Sequence, residues 1–237
     1  MSLTLLQCHP LAEELAAWAT RERVVSPDGD YGYALHQLLT AAFGTAAPKP
    51  FRYLGAGGGL LGYTRADADK LISHAALATP DVYRALNLST LGVRNFPVTW
   101  KSGQRLSFEV RVRPVVRGQN GERDAFLHAI AQESEEATKA VQREEVYQRW
   151  LTAQLQMNGS CSVPVVRMKG FQFMRVIRRS HENQGNDRSQ RVFSGPDALM
   201  TGVLEVGDGA AFSEMVARGV GRHRAFGFGM LLLRPAD

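Results

Sequence analysis

Two cysteines in 237 residues, Cys8 and Cys161, are too few and too far apart for a disulfide framework or a zinc site. No His, Cys, Asp or Glu cluster has metal-ligand spacing, so neither a metal nor another cofactor is expected. No charged start leads into a long apolar run, so neither a signal peptide nor a membrane span is expected, and a reduced cytoplasm is the expected setting. Aromatics are only 8% of the chain, and no strand carries the RNP-type aromatic motif of generic two-domain RNA-binding proteins. The glycine-rich stretches lack the Gly-Lys-Ser/Thr ending of a P-loop.

What is present is a modest excess of positive charge. Lys and Arg number 28 against 23 acids, a net +5, which fits a polyanionic partner without requiring one. LTLLQCHPL reads as a buried strand. DYGYALHQLLTAAFG has helical apolar spacing and stops at Gly44. FRYLGAGGGLLGYTR reads as a hairpin, ADADKLISHAALA as a helix and FPVTW as a strand. The same order then recurs. RLSFEVRVRPVV alternates as a half-buried strand, and 124–157 is helical with a break near Ser134. VPVVRMKGFQFMRVIRR supplies one or two strands, SHENQGNDRSQR a loop and ALMTGVLEV a strand. A helix capped by Asp208 follows, burying Phe212, Met215 and Val216 and ending at Gly219, and GFGMLLLRP is the last strand. The expected fold is α+β, with two tandem ferredoxin-like (RRM-like) domains over 1–103 and 104–237.

The stretch GVGRHRAFGFG at 219–229 sets Arg222, His223 and Arg224 among glycines. It follows a helix and precedes a strand. Dinucleotide and P-loop sites need the opposite order, so that phosphate meets a helix N-terminus. Two readings stand: a tight helix-to-strand turn, or a loop in which Gly219, Gly221, Arg222, His223 and Arg224 meet a nucleic-acid backbone. Phe226 and Phe228 are expected to anchor the strand inside.

On the first helix, at about 100° per residue, Leu35, Leu38, Leu39 and Ala42 form one stripe. Tyr33 and His36 fall together on the other side, three residues apart, where a histidine is either solvated or at work. Residues 167–191 hold Arg167, Lys169, Arg175, Arg178, Arg179, Arg188 and Arg191 against Glu182 and Asp187 alone. Such a stretch is either a charged sheet edge or a hairpin that follows an RNA stem by its phosphates. Phe171 and Phe173, alternating with the basic residues, are expected in the core, the alternative being stacking platforms.

ALMTGVLEVGDGAAFSEMVARGVGRHRAFGFGMLLLRP resembles the C-terminal signature of the CRISPR-associated CasE family, the repeat-RNA endoribonucleases of type I-E systems. GQRLSFEVRVRPVVR is similar to the opening of that family's second ferredoxin-like domain, and YGYALHQLLTAAFG and PKPFRYL to its first helix and the next strand. The strand at 110–114 departs from the family's usual Leu-Arg-Ala-Asn-Pro, reading Val-Arg-Val-Arg-Pro, and 117–195 matches loosely. The resemblance implies a Tyr-x-x-His pair, here Tyr33 and His36, with the histidine in catalysis. It implies metal-independent cleavage by the ribose 2′-hydroxyl, leaving a 2′,3′-cyclic phosphate and a 5′-hydroxyl. It implies a basic hairpin (Arg167, Lys169, Arg175, Arg178, Arg179) on the repeat's stem-loop RNA, near a cut at the stem's 3′ base, and a place in a multisubunit, Cascade-like surveillance complex. The alternative on the same fold is a catalytically inactive repeat-RNA-binding subunit. His223 is the rival to His36 as the reacting histidine.

Overall fold

A computed structural model describes residues 2–118, 121–179 and 190–236, with side chains for all of these except 135–136, 176–179, 190–191 and 193. The chain divides into two compact units, Met1–Phe96 with Met174–Ser194 and Ala225–Gly227, and Pro97–Phe173 with Gly195–Arg224 and Phe228–Asp237.

The first unit runs β1 (Thr4–Cys8), α1 (Ala12–Arg21), α2 (Gly32–Phe43), β2 (Phe51–Tyr53), the single turn α3 (Gly55–Gly58), β3 (Leu60–Thr64), α4 (Ala68–Ala76), α5 (Pro80–Leu86) and β4 (Gly92–Asn95). Its sheet is ordered β2-β3-β1-β4 and antiparallel throughout, the ferredoxin-like order. Eight of the twelve residues of α2 are buried, because its apolar stripe lies in the main core with Leu6, Leu15 and Leu60. Asp67 caps α4 by accepting from the Lys70 N–H at 2.8 Å.

Two helices, α1 and α5, appear where the sequence reading placed none. The fourth strand is Gly92–Asn95 rather than FPVTW. Thr4 pairs with Asn95 and Leu6 with Val93, and the Phe96 N–H reaches Leu3 O at 2.8 Å. Pro97 comes next and has no N–H to extend the ladder.

The second unit runs β5 (Arg105–Val112), the hairpin β6 (Val115–Gly118) and β7 (Gly121–Asp124), then α6 (Ala125–Ile130), α7 (Glu135–Thr138), α8 (Arg143–Leu155), β8 (Cys161–Arg179), β9 (Gln190–Val206), α9 (Gly209–Arg218) and β10 (Leu232–Pro235). Its sheet repeats the order of the first: β10-β5-β9-β8. RLSFEVRVRPVV is two strands, because Pro114 ends β5 and β6 turns to pair with β7. Leu106, Phe108, Val110 and Val112 alternate inward along β5, as the pattern required. The break near Ser134 is a helix start, where Ser134 Oγ accepts from the Ala137 N–H. Asp124 is buried and multiply bonded: it caps α6, takes the Arg143 guanidinium at 2.7 Å and accepts from the Tyr147 hydroxyl at 2.9 Å. Asp208 caps α9, whose Phe212, Met215 and Val216 are buried as expected. Most of the loop expected over 180–191 lies outside the described residues.

Candidate functional site

Helix α2 begins just after Asp30, whose carboxylate accepts from the Gly32 N–H at 2.9 Å. Placing Tyr33 on the polar side proves wrong. It is 6% exposed, a member of the core cluster, with the ring of Phe226 packed on it at 5.9 Å by centroids. The Tyr33 hydroxyl stays in polar company, accepting from Gln37 Nε2 at 3.1 Å. His36 is half-buried, 6.4 Å from Tyr33 and 5.4 Å from Phe226 by ring centroids, edge-on to the latter at 85°. Burial, and then the positive charge of Lys49, hold the His36 pKa below the ordinary 6.5. At neutral pH the imidazole is therefore mostly unprotonated and able to accept a proton. Sequence reasoning passed over Lys49, in the loop before β2, since only the folded chain sets its charge against a helix residue.

The glycine loop is organised within the second unit. Gly219 ends α9 at φ +76°, and Gly221, at φ +69°, lies so close to Trp150 that a Cβ would sit 2.8 Å from its indole. The Val220 N–H donates to Gly229 O at 2.8 Å, and the Gly229 N–H to Arg111 O at 2.7 Å. Phe228 is fully buried under the Arg111 guanidinium, 4.4 Å above its ring, as a strand anchor should be. Phe226 is only partly buried and packs on the core of the other unit, to which Ala225–Gly227 belongs.

The cationic triplet already has an anion. Glu122, on β7, reaches Arg222 Nε with one oxygen and His223 Nε2 with the other, each at 2.5 Å. The His223 hydrogen bond first, then the two cations' charges, bring the Glu122 pKa down to about 2 against the opposing effect of burial. Arg224 instead donates to Arg218 O at 2.9 Å; burial and the nearby Arg218 lower its pKa. Nothing in the local spacing marked Glu122 or Arg218.

Along the basic stretch, Arg167 and Lys169 are exposed, with Lys169 Nζ 3.7 Å from Glu109. Arg175 is exposed but engaged: its guanidinium holds Asp28 at 2.7 and 3.0 Å and its N–H reaches the same carboxylate at 2.6 Å. These bonds hold Asp28 below the usual carboxylate range. The Ser26 hydroxyl donates to Arg175 O at 2.6 Å, so both residues of the loop before α2 are tied to β8. The side chains of Arg178 and Arg179 lie outside those described. Phe171 and Phe173 are not core residues, being 37% and 54% exposed. They lie on β8, the outermost strand of its sheet. Arg143, 4.4 Å from its ring, and Tyr147 pack on Phe171.

Among the described residues no helix is long and apolar enough to cross a membrane, and no three His, Cys, Asp or Glu side chains converge as metal ligands would. The family model described as CRISPR associated protein matches residues 14–235. No curated protein matches the chain in sequence. Several solved structures share its fold. Cse3 of Thermus thermophilus bound to an RNA representing a pre-cleavage complex is 20% identical, with 99% of this chain and 100% of that one covered and a TM-score of 0.62. Cas6e from Escherichia coli K-12 is 16% identical over the whole of both chains, at a TM-score of 0.51. A chain of a CRISPR RNA-guided surveillance complex in a pre-nicking state is 15% identical over the whole of both, at 0.50.

Proposed function

The chain belongs to the family of CRISPR associated proteins, and from that premise we propose that it is an endoribonuclease of the CasE kind. It cuts CRISPR precursor RNA at the 3′ base of each repeat's stem-loop, without a metal, in the cytoplasm. It then keeps the product as part of a surveillance complex. The solved structures of like fold, one bound to RNA and one in a surveillance complex, support that reading.

The observation that carries the catalytic part is the state of His36, half-buried with a lowered pKa beside the buried Tyr33. Its neutral imidazole takes the proton from the ribose 2′-hydroxyl. The 2′-oxygen attacks the adjacent phosphorus, forming the 2′,3′-cyclic phosphate. The P–O5′ bond breaks, and the 5′-oxygen leaves with a proton from the imidazolium or from water. Lys49 supplies positive charge to the phosphoryl oxygens as theirs builds up. The Tyr33 hydroxyl accepts from Gln37 and so keeps its own proton to donate to the ribose or the phosphate. His223 is a poorer candidate for this work, because Glu122 already holds its Nε2.

Single-turnover cleavage of the protein's own repeat RNA in EDTA tests the proposal. The wild type should yield cyclic-phosphate and 5′-hydroxyl ends. His36→Ala should lose at least about a hundredfold in rate, the lower range of general acid–base catalysis, and keep its RNA affinity. Undiminished cleavage by His36→Ala would remove that residue from the mechanism. Tight binding with no cut by the wild type would select the inactive RNA-binding subunit instead.

A further inference from the structure

We propose that Phe226 is a positioning residue for His36, its ring fixing the orientation of the imidazole and keeping water from one side of it. The proposal rests on the reading of His36 as the reacting base.

Three features of the first unit support it. The Phe226 ring meets both rings of the pair, His36 edge-on at 5.4 Å and Tyr33 tilted at 5.9 Å. Edge-to-face aromatic contacts in this range prefer one mutual orientation, so the imidazole is held by direction as well as by bulk. The backbone is brought close as well. Gly32, in the first turn of α2, faces the Phe226 carbonyl so closely that a Cβ there would collide with it. Glycine at that position is what lets the 226 segment seat against the helix. Finally, Phe226 lies partly exposed at the margin of the core cluster, whereas its neighbour Phe228 is fully buried. Filling the core does not call for a phenyl ring so placed; covering His36 and Tyr33 does. The charged group that bears on the same imidazole is the Lys49 ammonium, and the Tyr33 ring lies 6.4 Å away by centroids. Phe226 contributes no charge, so its effects pass through geometry and exclusion of water.

Phe226→Leu keeps apolar volume and removes the ring. In the full-length protein it should slow single-turnover cleavage roughly ten- to a hundredfold, the scale of a small misplacement of a catalytic group. Repeat-RNA affinity should stay within about twofold, since a phenyl ring offers a phosphate no hydrogen-bond donor. The titration midpoint of the His36 Cε1–H resonance should rise toward an ordinary histidine value. Phe226→Tyr restores a ring and should restore the rate. Gly32→Ala, which pushes on the Phe226 carbonyl, provides a second route to the same signature. A loss of melting temperature with the His36 titration unmoved means a merely structural residue and overturns the proposal, as does an unchanged rate in Phe226→Leu. An inactive His36→Ala beside a fully active Phe226→Leu sinks this inference alone. Full cleavage by His36→Ala removes it together with the reading beneath it.

Discussion

Glu122 holds Arg222 and His223 with one carboxylate, and its two oxygens occupy donors that phosphate oxygens would use on those residues. Any RNA phosphate that uses these residues must displace it. Glu122→Gln should therefore tighten repeat-RNA binding by about tenfold, the scale of one charge-assisted hydrogen bond. It should also steepen the salt dependence, by about one unit in the slope of log K against log salt. Titrations at several salt concentrations check both, and weaker binding would show that Glu122 supports the loop instead of competing for it. The basic triplet and its glycines were legible in the sequence, but the carboxylate was not, because it lies 101 positions from His223. The same limit applies to Arg175, whose partner Asp28 is 147 positions away. Tyr33 misled for a related reason: periodicity gives a residue's direction from its own helix and says nothing of a ring arriving from residue 226.

Strand β8 is an edge strand, with backbone groups open to pairing on its outer side. Helix α8 blunts that edge with side chains. Gln148 Nε2 donates to Val166 O at 3.0 Å, and Glu144 Oε1 accepts from the Met168 N–H at 3.0 Å and from Gln148 at 3.1 Å. Glu144→Ala removes two of these three bonds and leaves the Met168 N–H to find water. It should cost about 1–2 kcal/mol of unfolding free energy, since a hydrogen bond to a charged group is involved. Denaturant unfolding measures the loss, and light scattering should show more self-association once the edge is open. An unchanged midpoint and no association would mean the bonds do not persist in solution. Most elements could be read from periodicity and caps, as Asp208 and Ser134 show. Those misplaced turned on proline: Pro97 moved β4 toward the N-terminus, and Pro114 split a run that alternates well enough to be one strand.

The two ferredoxin-like units repeat one strand order, and element sequence alone carried that expectation. Among the groups whose pKa is lowered, His36 in the first unit and Glu122 in the second differ in kind. In the first unit His36 is neutral by burial, with a folded pKa below its ordinary 6.5. The unfolded chain binds that proton more readily, so the stability due to neutral His36 is full above about pH 6.5 and declines as pH falls through the folded pKa. In the second unit Glu122 drops from the ordinary 4.5 to about 2, so its contribution is full above 4.5 and is lost as pH falls toward 2. The glycine loop keeps its bonds to Glu122 down to the carboxylate window, while His36 takes up its proton as pH falls through its own lowered pKa. Cleavage should accordingly fall about tenfold per pH unit below the His36 pKa, as for a single essential base. Melting temperature and RNA binding should change far less over that range. Parallel measurement of single-turnover rate, melting temperature and repeat-RNA affinity from pH 8 to about pH 4.5, the upper edge of the carboxylate window, tests the separation. If rate and affinity fall together, the acid limb belongs to the binding surface rather than to the histidine. If the rate stays level through the pH range in which the His36 Cε1–H resonance titrates, an unprotonated His36 is not what the reaction requires.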